Sequence, residues 1–188
     1  MITSNYLIHH GVKGMKWGIR KKVFISGSSK TQTKESPYYR KKLPAPIRRQ
    51  INEYIKNKSH ILVGEAPGID RQVQQYLKSK RYKNVTVYTT GDTPRYIANK
   101  KWKVKNVDTK GYKPDTKEFN RQKDIAMTND ADSGLSVILE NGGASATRNN
   151  VKRLISQNKD VKVYMLQSKS KDDWVRDINK EILIRRYN

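Results

Sequence analysis

Short apolar runs alternate with longer helix-like stretches along most of this 188-residue chain. Between the runs, apolar side chains recur at helical spacing, as at Ile47, Ile51 and Ile55. The runs themselves have the composition of buried strands, and they are residues 22–27, 60–63, 84–89, 135–139 and 161–166. Helices long enough to cross between strands favour a mainly parallel sheet covered on both faces. The sequence therefore predicts an α/β fold, a Rossmann-like three-layer sandwich with five strands.

This pattern predicts five helices. The first begins at Pro46, the next two cover residues 69–80 and 116–129, the fourth contains Val151 and Leu154, and the last covers residues 172–184. Residues 91–115 contain three turn signals and no sustained period, which predicts a long loop. The strand order 3-2-1-4-5 is typical of nucleotide-binding sheets, and it places strands one and four side by side. Their crossovers leave on opposite faces, so a crevice opens at their carboxyl ends.

Small and hydroxyl-bearing residues follow strands one and four, where this crevice is expected. They are Ser26, Gly27, Ser28 and Ser29, and then Asn141, Gly142, Gly143, Ser145 and Thr147. Hydroxyl groups and bare backbone N–H groups at helix N-termini bind phosphate oxygens. Arg95, which follows strand three, adds a charge suited to bidentate contact. The competing interpretation is that the serine and threonine side chains only cap helices.

The stretch GEAPGID, residues 64–70, follows strand two and leads into a helix. Gly64, Ala66 and Gly68 are small enough for close backbone approach, so this loop is expected to reach the crevice. Asp70 suits the positive end of the helix dipole, and capping alone would explain it. Glu65, Asp70 and Glu140 are nevertheless candidate carboxylates for a ribose hydroxyl or for acid/base catalysis.

Three stretches together resemble the SLOG superfamily of Rossmann-like nucleotide-binding domains. They are VFISGS at residues 23–28, GEAPGID at 64–70 and DSGLSVILENGGASAT at 132–147, and the resemblance covers about residues 21–166. The second stretch resembles a loop of the DNA-processing protein A family. The third resembles the loop that cradles a nucleotide phosphate in LOG-type phosphoribohydrolases. The resemblance implies a bound nucleotide or nucleotide-derived ligand, and self-association into a homo-oligomer.

The chain departs from the hydrolase pattern at two positions. Ala146 stands where a glycine is common, and Arg148 follows Thr147 where those hydrolases have a glutamate. The departure argues against hydrolysis of an N-glycosidic bond but leaves ligand binding in place. Nucleotide binding is therefore the expected function, with an N-glycosidase of the same fold as an alternative.

A net charge of +23 arises from 40 lysine and arginine residues against 17 acidic residues. Such a charge favours polyanions, so a basic nucleic-acid-binding or DNA-processing module is a further alternative. Aromatic and basic residues interleave at positions 38–42 and 100–103, where base stacking and phosphate contact would combine. A solvated basic surface that keeps the protein soluble is the competing interpretation.

Residues 1–20 are predicted to form a segment separate from the domain at 21–188. The string HHGVKGMKWG at 9–18 resembles an element at the ends of tailed-phage and prophage proteins. The apolar side chains Leu7, Ile8, Met15 and Trp17 are expected to dock on a phage structural protein, or alternatively on the protein's own sheet edge. The resemblance implies a phage protein that acts in the host cytoplasm during infection or is packaged in the virion.

The chain contains no cysteine, which excludes disulfides and thiolate metal sites. The adjacent His9 and His10 have no evident third ligand, so neither a metal nor a cofactor is expected. No stretch approaches the roughly 20 apolar residues of a membrane span, so no membrane partner is expected.

Overall fold

The computed structural model describes residues 20–32, 34, 42–140, 145–166 and 175–178. Predictions for the segment 1–19, for Tyr38 and Tyr39, and for Asn141, Gly142 and Gly143 lie outside these residues.

The described ranges contain seven strands, four α-helices and a short 3-10 helix over Ser29–Gln32. The strands are β1 (Lys22–Gly27), β2 (His60–Val63), β3 (Val85–Thr89), β4 (Lys103–Asn106), β5 (Ser133–Leu139), β6 (Asp160–Leu166) and β7 (Val175–Ile178). The helices are α1 (Ala45–Lys56), α2 (Ile69–Ser79), α3 (Lys117–Asp130) and α4 (Ser145–Ser156).

One sheet contains all seven strands in the order β4-β3-β2-β1-β5-β6-β7. Neighbouring strands are parallel except for β7, which runs antiparallel to β6. The predicted fold class, an α/β Rossmann-like sandwich, is confirmed, and the five predicted strands keep their predicted relative order. The full sheet differs from the prediction because an additional strand lies at each edge.

Alternate side chains of the central strands pack on opposite faces of the sheet. Val23 and Ile25 of β1 join the core that α1 and α2 cover, where Ile47 and Val73 are also buried. Phe24, between them in sequence, contributes to a second core with Met127 of α3 and with α4. Helices α1 and α2 therefore cover one face of the sheet, and α3 and α4 cover the other. In the described part of the chain, no helix is long and apolar enough to span a membrane.

Both additional strands fall where the sequence predicted something else. The residues of β4 lie in the predicted loop 91–115, and all four are exposed, so no apolar alternation marks the strand. The residues of β7 lie in the predicted helix 172–184, which is wrong at these positions. Because β7 supplies hydrogen-bonding partners to β6 from Val163 to Leu166, pairing in the sheet overrides the local helical spacing.

Candidate functional site

A cavity of about 490 Å³ opens at the carboxyl end of β1, between the loop before α2 and the helices α3 and α4. Its volume is in the usual range for a small-molecule site. Polar and charged side chains make up most of its lining, and they include Ser26, Ser28, Ser29, Lys30, Asp70, Arg95, Asn120, Arg121, Lys123, Asp124, Ser145, Thr147, Asn149, Asn150 and Arg153. The cavity therefore lies where the strand order predicted a crevice.

The end of β1 contributes the predicted residues Ser26 and Gly27 to the lining, and the turn after it contributes Ser28 and Ser29. The backbone N–H of Ser28 donates to the carbonyl of Val137 at 3.0 Å, which fixes the turn against β5. Ser26 Oγ is hydrogen-bonded to Ser136 Oγ at 3.0 Å. In contrast, Ser28 Oγ is buried and has no hydrogen-bond partner among the described residues. A buried hydroxyl without a partner is a suitable contact for a ligand oxygen.

The backbone at position 68, in the loop before α2, requires a glycine. Its φ of 85° lies in the left-handed region, and a Cβ there would lie 2.6 Å from Ser29 Cα and from Ser29 O. Ile69 N donates to Ser28 O at 3.3 Å, so the two loops are in backbone contact. Of the three small residues predicted to bind a ligand in this loop, Ala66 lines the cavity, and Gly64 and Gly68 do not.

Asp70 places a buried carboxylate in the cavity wall. Its side chain accepts a hydrogen bond from Ala66 N at 3.3 Å. Burial raises the pKa of Asp70 to about 7, an effect that Lys123 opposes and that the nearby Asp124 carboxylate increases. Asp70 lies in the first turn of α2, where an acidic side chain suits the helix dipole, and its hydrogen bond is to the loop that precedes the helix.

Two charged residues of α3 complete the cluster around Asp70. Burial raises the pKa of Asp124, while Lys123, Arg153 and a hydrogen bond from Asn150 oppose that change. Lys123 is only 4% exposed and lines the cavity. It forms no ion pair within 4 Å with any described residue, although both carboxylates act on it electrostatically.

Helix α4 contributes its first turn and one side to the cavity. Ser145 and Thr147 lie in this turn. Both were predicted to bind a ligand, and both line the same cavity as Ser28. Farther along, Arg153 donates to Asn150 Oδ1, while Arg153 Nε has no hydrogen-bond partner among the described residues. Burial lowers the pKa of Arg153, and the nearby Asp124 carboxylate opposes this decrease.

The structure separates the three candidate carboxylates. Glu65 is buried, and its Oε2 accepts from Arg95 N at 2.6 Å while Oε1 lies 3.5 Å from Arg95 Nε. Glu65 therefore positions the loop that carries Arg95 to the cavity. Glu140 is half-buried and follows β5, and its backbone N–H donates to Leu166 O at 2.7 Å. Of the three carboxylates, all in described residues, only Asp70 lines the cavity.

We expect Glu65→Ala to lower the free energy of unfolding by about 2 kcal/mol, because a buried carboxylate that accepts a backbone N–H is lost. Arg95→Ala is the matched control. Its side chain is 56% exposed, so it should cost less than about 1 kcal/mol. Urea unfolding of both variants measures the difference. Equal costs would show that the bond to Arg95 N contributes little.

Most of the lining residues that sequence reasoning missed lie on α3 and α4. On α3, Asn120, Lys123, Asp124 and Met127 have the spacing of one helical face, and all four line the cavity. In the sequence, these residues form a polar face on a helix whose opposite faces differ little in hydrophobicity. It was missed because polar helical faces are ordinarily assigned to solvent.

Trp102 does not have the exposure that base stacking requires. It is buried, and its Nε1 donates to Tyr82 O at 2.8 Å. The prediction that Trp102 interleaves with Lys101 and Lys103 for single-strand binding is therefore wrong for the aromatic residue. Both lysines are exposed.

The fold and the cavity define an α/β protein with a polar cavity at the carboxyl end of a mainly parallel sheet. A protein family described as a family of unknown function (DUF7211) matches residues 2–23. This match covers the N-terminal segment and the start of β1, and it includes none of the residues that line the cavity. No curated protein and no solved structure matches the chain. Among the residues that the structure describes, no cluster of three histidine or acidic side chains is arranged to hold a metal ion.

Proposed function

We propose that the protein binds a nucleotide or a nucleotide-derived ligand in the cavity at the carboxyl ends of β1 and β5. The observation that carries the proposal is the buried Ser28 hydroxyl, which has no hydrogen-bond partner among the described residues and lines the same cavity as Ser145 and Thr147. The first turn of a helix attracts anions through its unpaired N–H groups and its dipole. These groups together suit a phosphate.

The charge of the cavity wall supports an anionic ligand. Six cationic side chains line it, namely Lys30, Arg95, Lys117, Arg121, Lys123 and Arg153, against three carboxylates, Asp70, Asp115 and Asp124. The excess of positive charge lowers the free energy of a bound anion relative to a neutral ligand of equal size.

Differential scanning fluorimetry against nucleoside monophosphates, dinucleotides, NAD, ADP-ribose and cyclic nucleotides tests the proposal, with isothermal titration calorimetry on each compound that raises Tm. Heparin and inorganic phosphate are the controls, because a chain of charge +23 is stabilised by any polyanion. Saturable one-to-one binding of a nucleotide supports the proposal. A Tm that no nucleotide raises beyond these controls contradicts it.

We expect Ser28→Ala to weaken nucleotide binding by about tenfold, the effect of one hydrogen bond to a charged group. The same change should leave the free energy of unfolding unchanged or raise it by about 1 kcal/mol, because an unpaired buried hydroxyl is removed. Calorimetry and urea unfolding on the same variant measure the two effects.

Ser26→Ala is the control, since Ser26 Oγ has a partner in Ser136 Oγ. It should lower the free energy of unfolding by about 1 kcal/mol. A loss of stability in Ser28→Ala equal to that in Ser26→Ala would show that Ser28 serves the fold and not a ligand.

An N-glycosidase of the same fold is the second candidate. The observation that favours it is Asp70, a carboxylate in the cavity wall whose pKa of about 7 suits a general acid at neutral pH. Chromatography of nucleoside monophosphates and NAD after incubation decides between binding and cleavage, because cleavage releases free base. Nucleic-acid binding and docking to phage structural proteins stay predictions from charge and from residues 1–20.

A further inference from the structure

Resting on the proposed function, we propose that Asp70, Lys123 and Asp124 form a subsite for the ribose hydroxyl groups of the ligand. The protein would then select ribonucleotides over 2′-deoxyribonucleotides. Nothing in the sequence motifs points to the two residues of α3, which are assigned here from their positions in the cavity.

The side chains of Asp70 and Lys123 converge from two helices on the end of β2. A Cβ at Gly64, the residue after β2, would lie 3.2 Å from Lys123 Nζ and closer still to Asp70 Oδ2. Asp124 is the next residue of α3 after Lys123, and it lines the same cavity. Gly64 therefore leaves room for a carboxylate and an ammonium group side by side.

Hydrogen-bonding capacity remains on all three side chains, and Asp124 keeps acceptor positions besides the one that accepts from Asn150. Lys123 is 4% exposed, lines the cavity and forms no ion pair within 4 Å with a described residue, so its N–H groups are available to a ligand in the cavity. Asp70 accepts the N–H of Ala66 through Oδ2, and an ionised carboxylate has about four acceptor positions. An ammonium group that opens to the cavity and has no anion within 4 Å can donate its N–H groups to a ligand.

The cluster suits hydroxyl groups better than a second phosphate. Lys123 acts on both carboxylates and Arg153 acts on Asp124, so the charges of this cluster are already balanced and an added dianion gains little there. A vicinal diol carries no charge, donates two hydrogen bonds to carboxylates and accepts one from an ammonium group. The proposed place for the phosphate is near Ser28, Ser145 and Thr147, which bring hydroxyl groups and the first turn of α4 to the cavity lining.

Discrimination against a deoxyribose follows from burial. When the hydroxyl is missing, the carboxylate or the ammonium group that it would contact stays desolvated and unpaired. The penalty for such a group corresponds to a loss of affinity of about 10- to 100-fold.

Isothermal titration calorimetry with matched pairs tests the proposal without knowledge of the base. The pairs are ribose 5-phosphate with 2-deoxyribose 5-phosphate, and each of the four ribonucleoside monophosphates with its 2′-deoxy form. The wild-type protein should bind the ribo member about 10- to 100-fold more tightly. Asp124→Asn and Lys123→Met should reduce that ratio to below about threefold while binding of the deoxy member persists.

Lys152→Met is the control, because it makes the same substitution at an exposed position of α4. It should keep the wild-type ratio. If Lys123→Met does not fold, Asp124→Asn alone decides, since asparagine has nearly the same shape as aspartate. Equal binding of both members by the wild-type protein would overturn the ribose subsite and leave nucleotide binding standing. Binding of neither member in any pair, or of any nucleotide, would overturn both.

Discussion

Replacing Gly68 by alanine is expected to lower the free energy of unfolding by about 3 kcal/mol or more. Two effects add at this residue. Its φ of 85° is strained for any residue with a Cβ, and the new methyl group would lie 2.6 Å from Ser29 Cα and Ser29 O, which belong to backbone. The backbone of Ser28 and Ser29 would have to move, so nucleotide affinity should fall as well.

Gly111→Ala separates the two effects. Gly111 has the same φ of 85°, but a Cβ there meets nothing within 4 Å. Its cost should therefore be only the conformational strain, about 1 kcal/mol. Urea unfolding of both variants gives the comparison. If Gly68→Ala cost no more than Gly111→Ala, the backbone contact between the two loops would not limit the choice of residue at position 68.

The second large effect is expected from Asp70→Asn, which should stabilise the protein more at pH 8 than at pH 5. The pKa of Asp70 is about 7 in the folded protein, against an ordinary value of 3.8. Between these values the folded protein holds a proton that the unfolded chain has released. Wild-type stability therefore falls as pH rises through this window and levels off above pH 7.

Asparagine has no proton to lose, so the stability advantage of the variant should grow by about 2–3 kcal/mol between pH 5 and pH 8. Urea unfolding at several pH values measures this difference. Asp92→Asn, which removes an exposed carboxylate from a loop outside the cavity, is the control. Parallel pH profiles of unfolding free energy for wild type and Asp70→Asn would show that burial does not raise the pKa of Asp70.

The central sheet was predictable because its strands are buried on both faces and rich in β-branched residues. All five residues of β3 are buried, and its short apolar sequence VTVYT admits few other interpretations. The residues of β4 are all exposed, so their pairing with β3 left no apolar pattern to detect. The extent of a sheet depends on backbone hydrogen bonds at its edges, which the sequence encodes weakly.

The candidate site was predictable where it follows from strand order. Ser28 and Thr147 were predicted together because the carboxyl ends of strands one and four meet. Glu65 and Asp70 were not distinguishable, because what separates them is the contact between Glu65 and the loop that carries Arg95. Lys123 and Asp124 belong to the cavity through the packing of α3 on the sheet, which no local motif records.

The exposed edge formed by β4 has a consequence for the protein in concentrated solution. An open edge strand offers unpaired backbone groups that could add a strand from another molecule. Here Lys100, Lys101 and Lys103 are all exposed at or just before that edge. A second molecule approaching edge to edge would set these like charges against each other, which disfavours growth of the sheet into filaments or aggregates. Association of copies through this edge is therefore disfavoured, and a specific oligomer would have to use another surface.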